Sequence, residues 1–330
     1  MFSNILFALR VGRECRVEVP QTEDTARTAR SGASHRVEVP NAPWGGPARA
    51  RFPDGRWHFQ HGPIDLIIGA DGAQPAIDNA VELAWARFQT ILVELVGELH
   101  ILRQPVEQPT NLQGPIARRM FEACWPHRTQ FITPMAAVAG AVADELIPFF
   151  RADPAITRAY VNNGGDIALH LAPRQSYRVG LYADLGRIKR REVTTLDGDF
   201  EVTAEMPVRG LATSGWRGRS FSLGIADSVS VLAATAAQAD AAATMIANSV
   251  NVEDQAIQRA RAETLKDDTD LGDRLVTVEV ANLSAAKIEA ALERGAMHTS
   301  DLCSSGLIHG AILWLQGQVR VVRLLPLAPA

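Results

Sequence analysis

Asp240 and Thr244 stand four apart on an alanine-rich run, ADAAATMIANSV. Residues four apart on a helix share a face, so this carboxylate and this hydroxyl converge on one point. Two hard oxygen ligands side by side suit a magnesium ion, although on an arbitrary alanine-rich helix the same pair simply caps and solvates. Two small-residue turns precede the pair: Asn162, Asn163, Gly164, Gly165 and Asp166, then Thr213, Ser214 and Gly215. Paired glycines permit positive φ and expose backbone N–H groups, as an anion or nucleotide requires; between two strands they also serve as a plain tight turn. Arg217 and Arg219 follow the second turn, placed either to meet a phosphate or carboxylate or to lie exposed on a loop. His61, His170 and His309 fall at strand ends or turns and are read as structural or exposed.

The elements that must position these residues follow from periodicity. RARF and RWHFQ flank Pro53, Asp54 and Gly55, a hairpin signal, and the strand IDLIIGA follows. Apolar residues from Ile77 to Leu99 recur at helical spacing, which predicts a long amphipathic helix over about 74 to 102. IARRMFEACW and MAAVAGAVADELIPFF read as two more helices, the second smooth enough for another backbone or a flat ligand to approach. ITRAYV and IALHLA bracket the Asn-Gly turn; VGLYAD, RIKRREVTT and FEVTAEM continue as strands with a turn at Asp197, Gly198 and Asp199. The basic group Arg187, Lys189, Arg190 and Arg191 reads as a solvated sheet edge. DRLVTVEV is a strand, SAAKIEAALERG a helix ended by Gly295, and ILWLQ with VRVVRL a closing hairpin around Gly317. Hairpin-joined strands with inserted helices predict an α+β protein of largely antiparallel sheets with packed helices.

Residues 1–46 differ in composition and carry RVEVP twice, at 16–20 and 36–40; they are expected to form a mobile arm ahead of a single domain over 47–330. A net charge of -4 across 330 residues offers no electrostatic case for nucleic acid, so small-molecule chemistry is the better expectation. Cys15, Cys124 and Cys303 lie far apart without metal-ligand spacing, which excludes a disulfide framework or structural zinc. The first residues make a poor secretory signal and no run reaches the roughly 18 apolar residues of a membrane span, so a cytoplasmic protein is expected. The closing hairpin offers an interface for a homodimer.

The segments ITPMAAVAGAVADEL, YVNNGGDIALHL, LATSGW and ADAAATMIANSV, in this order, resemble the ApbE superfamily, best known for magnesium-dependent FAD:protein FMN transferases. HGPIDLIIGADG, ATSGWRGRSFSLGIADSV and DLGDRLVTVEV are more similar to that superfamily's uncharacterised cytoplasmic branch, and the likeness covers about residues 53 to 325. The resemblance implies an ApbE-like fold and magnesium held by Asp240, Thr244 and a backbone carbonyl near Val138. It also implies a flavin nucleotide, FAD or a relative, lined by the GGD turn (Gly164, Gly165, Asp166) with Asn163 and by the TSG turn (Thr213, Ser214, Gly215). The chain departs from the transferases in having Ala139 before Gly140 where they have a lysine, and RGRSFSLG where they have a His-Ile-Ile-Asp-Pro run. Those two groups handle phosphate charge and proton transfer. The expected function is therefore a magnesium-dependent, flavin-nucleotide-binding enzyme, with the missing lysine and histidine run arguing against protein flavinylation. The alternatives are a same-fold enzyme acting on a small anionic metabolite of sulfur or amino-acid metabolism, and a non-catalytic nucleotide-binding protein.

Overall fold

Period-two and period-3.6 patterns alternate along the chain, and the computed structural model, which describes residues 9–10, 45–181 and 198–323, turns each into its element. After β1 (Leu9–Arg10), the Pro53–Gly55 turn joins β2 (Ala48–Arg51) to β3 (Trp57–His61), and β4 (Ile64–Gly72) pairs with β3. Helix α1 (Gln74–Gly97) buries Ile77, Val81, Ala84, Phe88, Ile91, Leu92 and Leu95. The long helix expected to reach residue 102 breaks at Glu98 before α2 (Leu99–Leu102), because the Glu98 carboxylate is held by the N–H groups of Gln113 (2.7 Å) and Gly114 (2.8 Å). These amides open α3 (Pro115–Cys124). A 3-10 turn over Pro134–Ala137 then leads directly into α4 (Val138–Arg151).

Strands β5 (Ile156–Asn163), β6 (Asp166–Leu171), β7 (Ser176–Leu181), β8 (Gly198–Thr203), β9 (Gly210–Ser214) and β10 (Ser228–Ala233) come next. Helix α5 (Ala236–Ser249) follows, then β11 (Ile257–Arg261), α6 (Ala262–Leu265), β12 (Leu275–Val280), α7 (Ala285–Ser304), β13 (Gly310–Leu315) and β14 (Gln318–Val322). Nine strands form one antiparallel sheet in the order β14-β13-β10-β9-β6-β5-β4-β3-β2; β1-β7-β8 and β11-β12 form two small sheets. The helices cover one face of the large sheet in two apolar clusters, α1, α3 and α4 over β3 to β6 and α5 with α7 over β9, β10 and β13. On the other face Tyr160, Ile167, Leu169, Leu211, Leu232 and Ile312 pack against Tyr177, Val179 and Val202 of the small sheet. The α+β expectation with largely antiparallel sheet therefore holds.

Three expectations need correction or lie elsewhere. Gly295 does not end a helix; it sits inside α7, where a Cβ would come within 2.6 Å of Leu313 Cδ2, so it serves close packing against the sheet rather than a stop. Gly198 and Asp199 are not a turn but the first residues of β8, paired with Leu181 and Gly180. RIKRREVTT, with its basic group, lies outside the described residues, as does the expected N-terminal arm apart from Leu9–Arg10, which pair with β7, and residues 45–46. Among the described residues no helix is long and apolar enough to cross a membrane.

Candidate functional site

The β5–β6 hairpin ends in a two-residue turn, and both of its central residues need positive φ, which Gly164 (+66°) and Gly165 (+115°) supply. The Gly165 N–H is not left for an anion: it donates to Asn162 Oδ1 at 2.9 Å. Asn163 and Asp166 pair across the hairpin. Strand alternation puts them on the helix face with Leu66, Val161 and Ala168. There the Asn163 side-chain amide donates to Ala139 O (3.1 Å), and the Asp166 carboxylate accepts from the Thr213 N–H (3.2 Å).

The same alternation divides the TSG turn. Thr213 shares its face with Leu211, away from the helices, and its hydroxyl pairs with that of Ser230 at 2.9 Å. Ser214, opposite Val229, stands on the helix face. Thr213 thus meets Asp166 through its backbone alone, while the Ser214 side chain lies on the helix face. Gly215 lies against the backbone of residues 226 and 227, where a Cβ would come within 2.9 Å of the Asp227 carbonyl carbon.

The two arginines part company. Arg217 stacks on Trp216 (4.6 Å to the ring centre) and its Nε donates to Asp227 Oδ1 (3.2 Å). Asp227 is buried and also accepts from Trp216 Nε1 and from the Gln316 N–H. Arg219 is exposed, donates to Pro63 O, and places Nη1 where a side chain on Gly164 would meet it, 3.2 Å from that Cβ position. It therefore overhangs the GGD turn, and its charge acts on Asp166.

Asp240 and Thr244 lie in α5, both half-buried. A reciprocal arrangement holds α4 and α5 together. Asp144 of α4 accepts from the Ala236 and Ala237 N–H groups at the start of α5 (3.0 and 2.8 Å), and Asp240 of α5 accepts from the Gly140 N–H at the start of α4 (3.0 Å) with Ala139 N–H beside it. Each carboxylate caps the positive end of the other's helix. Gly140 makes this possible, because a Cβ there would come within 2.7 Å of Ala237 N. The smooth helix thus admits the α5 backbone. The Thr244 hydroxyl has no hydrogen-bond partner among the described residues. Val138 is half-buried at the start of α4. In a trans peptide the Val138 C=O is directed opposite to the Ala139 N–H that serves Asp240.

Burial pushes the Asp240 carboxyl up to about 7 despite those two amides, with the Asp144 charge adding to the rise. Asp166 is pushed well up by burial and then by the Asp240 charge, against the Thr213 amide and Arg219. Asp144 is raised by burial. The Asp240 charge thus opposes ionisation of Asp166, and the Asp144 charge that of Asp240. The donor set suits magnesium, a hard ion held by one or two carboxylates plus water and substrate phosphate. Among the described residues no group of three His, Cys, Asp or Glu forms a metal cluster.

Asp144, Asp227 and Asp270 were not singled out by sequence. Asp144 and Asp270 meet partners 92 and 137 residues away, and Asp227 joins Trp216 and Arg217, 11 and 10 residues back, to Gln316, 89 residues on, so no local spacing marks any of the three.

A sequence model of the family described as AbpE bacteria matches residues 49–321. The UPF0280 protein of Methanospirillum hungatei is 33% identical over 207 residues, which cover 61% of this chain and 77% of that protein. Among solved structures, the apbe protein of Thermotoga maritima aligns with TM-score 0.42 at 12% identity over 85% of this chain and 97% of its own. The apo flavinyl transferase ApbE of Pseudomonas stutzeri aligns with TM-score 0.39 at 10% identity, over 84% and 94%.

Proposed function

The chain belongs to the AbpE bacteria family, and from that premise we propose that the GGD turn, Ser214, Arg219 and α5 together make a magnesium-dependent pocket for FAD or a related flavin nucleotide. The observation that carries this reading is the state of the α5 pair. Asp240 is aimed by the α4 amides, and Thr244, one turn on, has a hydroxyl with no hydrogen-bond partner among the described residues. Asp240 and Thr244 would hold the ion, with water filling the other protein-side positions, since the Val138 C=O named with them from sequence is directed away from the Asp240 carboxylate. Bound magnesium would neutralise pyrophosphate charge and polarise a phosphoryl oxygen.

The chain's own groups do the rest. The glycine turn lets a phosphate approach the backbone closely, Arg219 meets its charge from above, and Ser214 donates from the sheet. Asn163 keeps the turn tied to α4. Ala139 and the 217–224 segment supply neither a lysine nor a histidine to this face, so the reading stops at nucleotide binding and phosphate activation and does not extend to modifying a protein.

Calorimetric titration of FAD into the protein, with magnesium and then with chelator, tests it. Saturable binding that needs magnesium and is lost in Asp240→Ala is the expected result; no binding to the wild type, or binding that Asp240→Ala leaves intact, defeats it. A second reading, a small anionic metabolite in place of the flavin, is favoured by the tie of Arg217 to Asp227, which takes one guanidinium away from the pocket. Mass spectrometry of a co-purified ligand separates the two.

A further inference from the structure

Between β11 and β12 the chain leaves its own small sheet, and this excursion, residues 262–274, touches the wall in front of α4 at three points. Asp268 pairs with Arg103, the Asp270 carboxylate accepts from the Thr133 hydroxyl, and the Arg274 guanidinium lies 3.4 Å from the centre of the Phe131 ring. Thr133 is only 2% exposed. Its carbonyl accepts from the Ala136 N–H (3.1 Å) and the Cys124 thiol (3.4 Å), so it anchors the 3-10 turn Pro134–Ala137 as the residue that caps its start. That turn runs without a break into α4, whose Ala139 and Gly140 amides aim Asp240.

We propose that Asp270 is a positioning residue of the Asp240 pocket: by fixing Thr133 it fixes the turn, and through the turn the two amides that hold the Asp240 carboxylate. The buried Cys124 thiol donates to the Thr133 carbonyl as well, so the residue that Asp270 fixes is held from two sides. Without Asp270 the Thr133 hydroxyl becomes a buried donor with no acceptor, and the turn must shift to satisfy it. The functional weight of this role rests on the proposed function of the pocket; the mechanical part does not.

The bond needs an acceptor oxygen and not a charge, since the hydroxyl donates. Asparagine therefore rescues where alanine fails. Hydrogen exchange of the ligand-free protein reads the mechanical part: Asp270→Ala and Thr133→Val should each speed exchange of the Gly140 amide by about tenfold, an opening shift of one decade, while Asp270→Asn stays near the wild type. Wild-type protection of Gly140 in both Asp270→Ala and Thr133→Val overturns the proposal, and so does Asp270→Asn exchanging as fast as Asp270→Ala, which would assign the role to the charge. FAD titration of the same proteins reads the functional part, with weaker binding in Asp270→Ala and recovery in Asp270→Asn expected. A wild type that binds no FAD removes the proposed function and leaves the exchange result to decide this one.

Discussion

Replacing Asp144 by alanine separates what holds α4 to α5 from what the pocket does. The substitution leaves the amides of Ala236 and Ala237, residues 0% and 1% exposed, without their acceptors. A buried donor without a partner costs about 1–3 kcal/mol and the loss of a helix N-cap about 0.5–2 kcal/mol, so the pair together, sharing one relaxation, costs roughly 2–4 kcal/mol. For a chain of this size that lowers Tm by roughly 3–6 °C. Asparagine keeps one acceptor and should cost about half as much, on the same per-bond figure. Asp144 also raises Asp240 through its charge, so its removal makes Asp240 easier to ionise and magnesium binding by the folded protein at pH 7 does not fall. Differential scanning calorimetry reads the first effect and magnesium titration the second. A Tm within about 1 °C of wild type, a shift worth well under 1 kcal/mol, would refute the reciprocal-cap argument; loss of metal binding with the fold intact would refute the division of labour between the two aspartates.

The remaining predictions concern packing, pH and the divided turn. Gly295→Ala drives a Cβ to within 2.6 Å of Leu313 Cδ2 and against Val250; overpacking of this kind costs about 1–3 kcal/mol, measured as a fall in urea midpoint with unchanged slope. If Gly295 were only a helix stop, alanine would be neutral or stabilising. His127 is buried, and desolvation with the nearby His298 charge pushes it down to about 4 from an ordinary 6.5. The unfolded chain therefore binds its proton first, and this contribution is whole above pH 6.5 and lost as pH falls from 6.5 toward 4, by roughly 3 kcal/mol in all at 1.36 kcal/mol per unit. Measured against His127→Gln across that window, the wild type should lose stability faster; parallel curves would place His127 in an ordinary environment. Thr213→Val should leave nucleotide binding unchanged within about twofold, because its hydroxyl bonds Ser230 on the far face, and a loss of tenfold or more would put that side chain in the pocket.

Much of the architecture was legible because local chemistry decides it. Pro53, Asp54 and Gly55 form their turn, Gly317 turns the closing hairpin, and the apolar stripe of α1 faces the core as its period requires. Asp240 and Thr244 fall on one helix as their spacing predicts. What stayed hidden is non-local. Gly295 carries the same local signal as a helix stop, and only the nearness of Leu313 and Val250 shows why it is glycine. Thr213 and Ser214 look alike in sequence, yet a one-residue step along β9 sends them to opposite faces. Arg217 and Arg219 differ only because Asp227 lies beside one of them. Asp144 and Asp270 act on partners about a hundred residues away, which no pattern along the chain announces.

A crystal structure of the protein with FAD and manganese in place of magnesium tests the central claim most directly, since manganese keeps the octahedral oxygen preference and its anomalous signal marks the ion. The account predicts one manganese within bonding distance of an Asp240 carboxylate oxygen and the Thr244 hydroxyl, with the flavin pyrophosphate between it, the Gly164–Gly165 turn and Arg219. An ion or a flavin bound elsewhere, with Asp240 still held only by the α4 amides, would contradict it and leave Asp240 a helix cap.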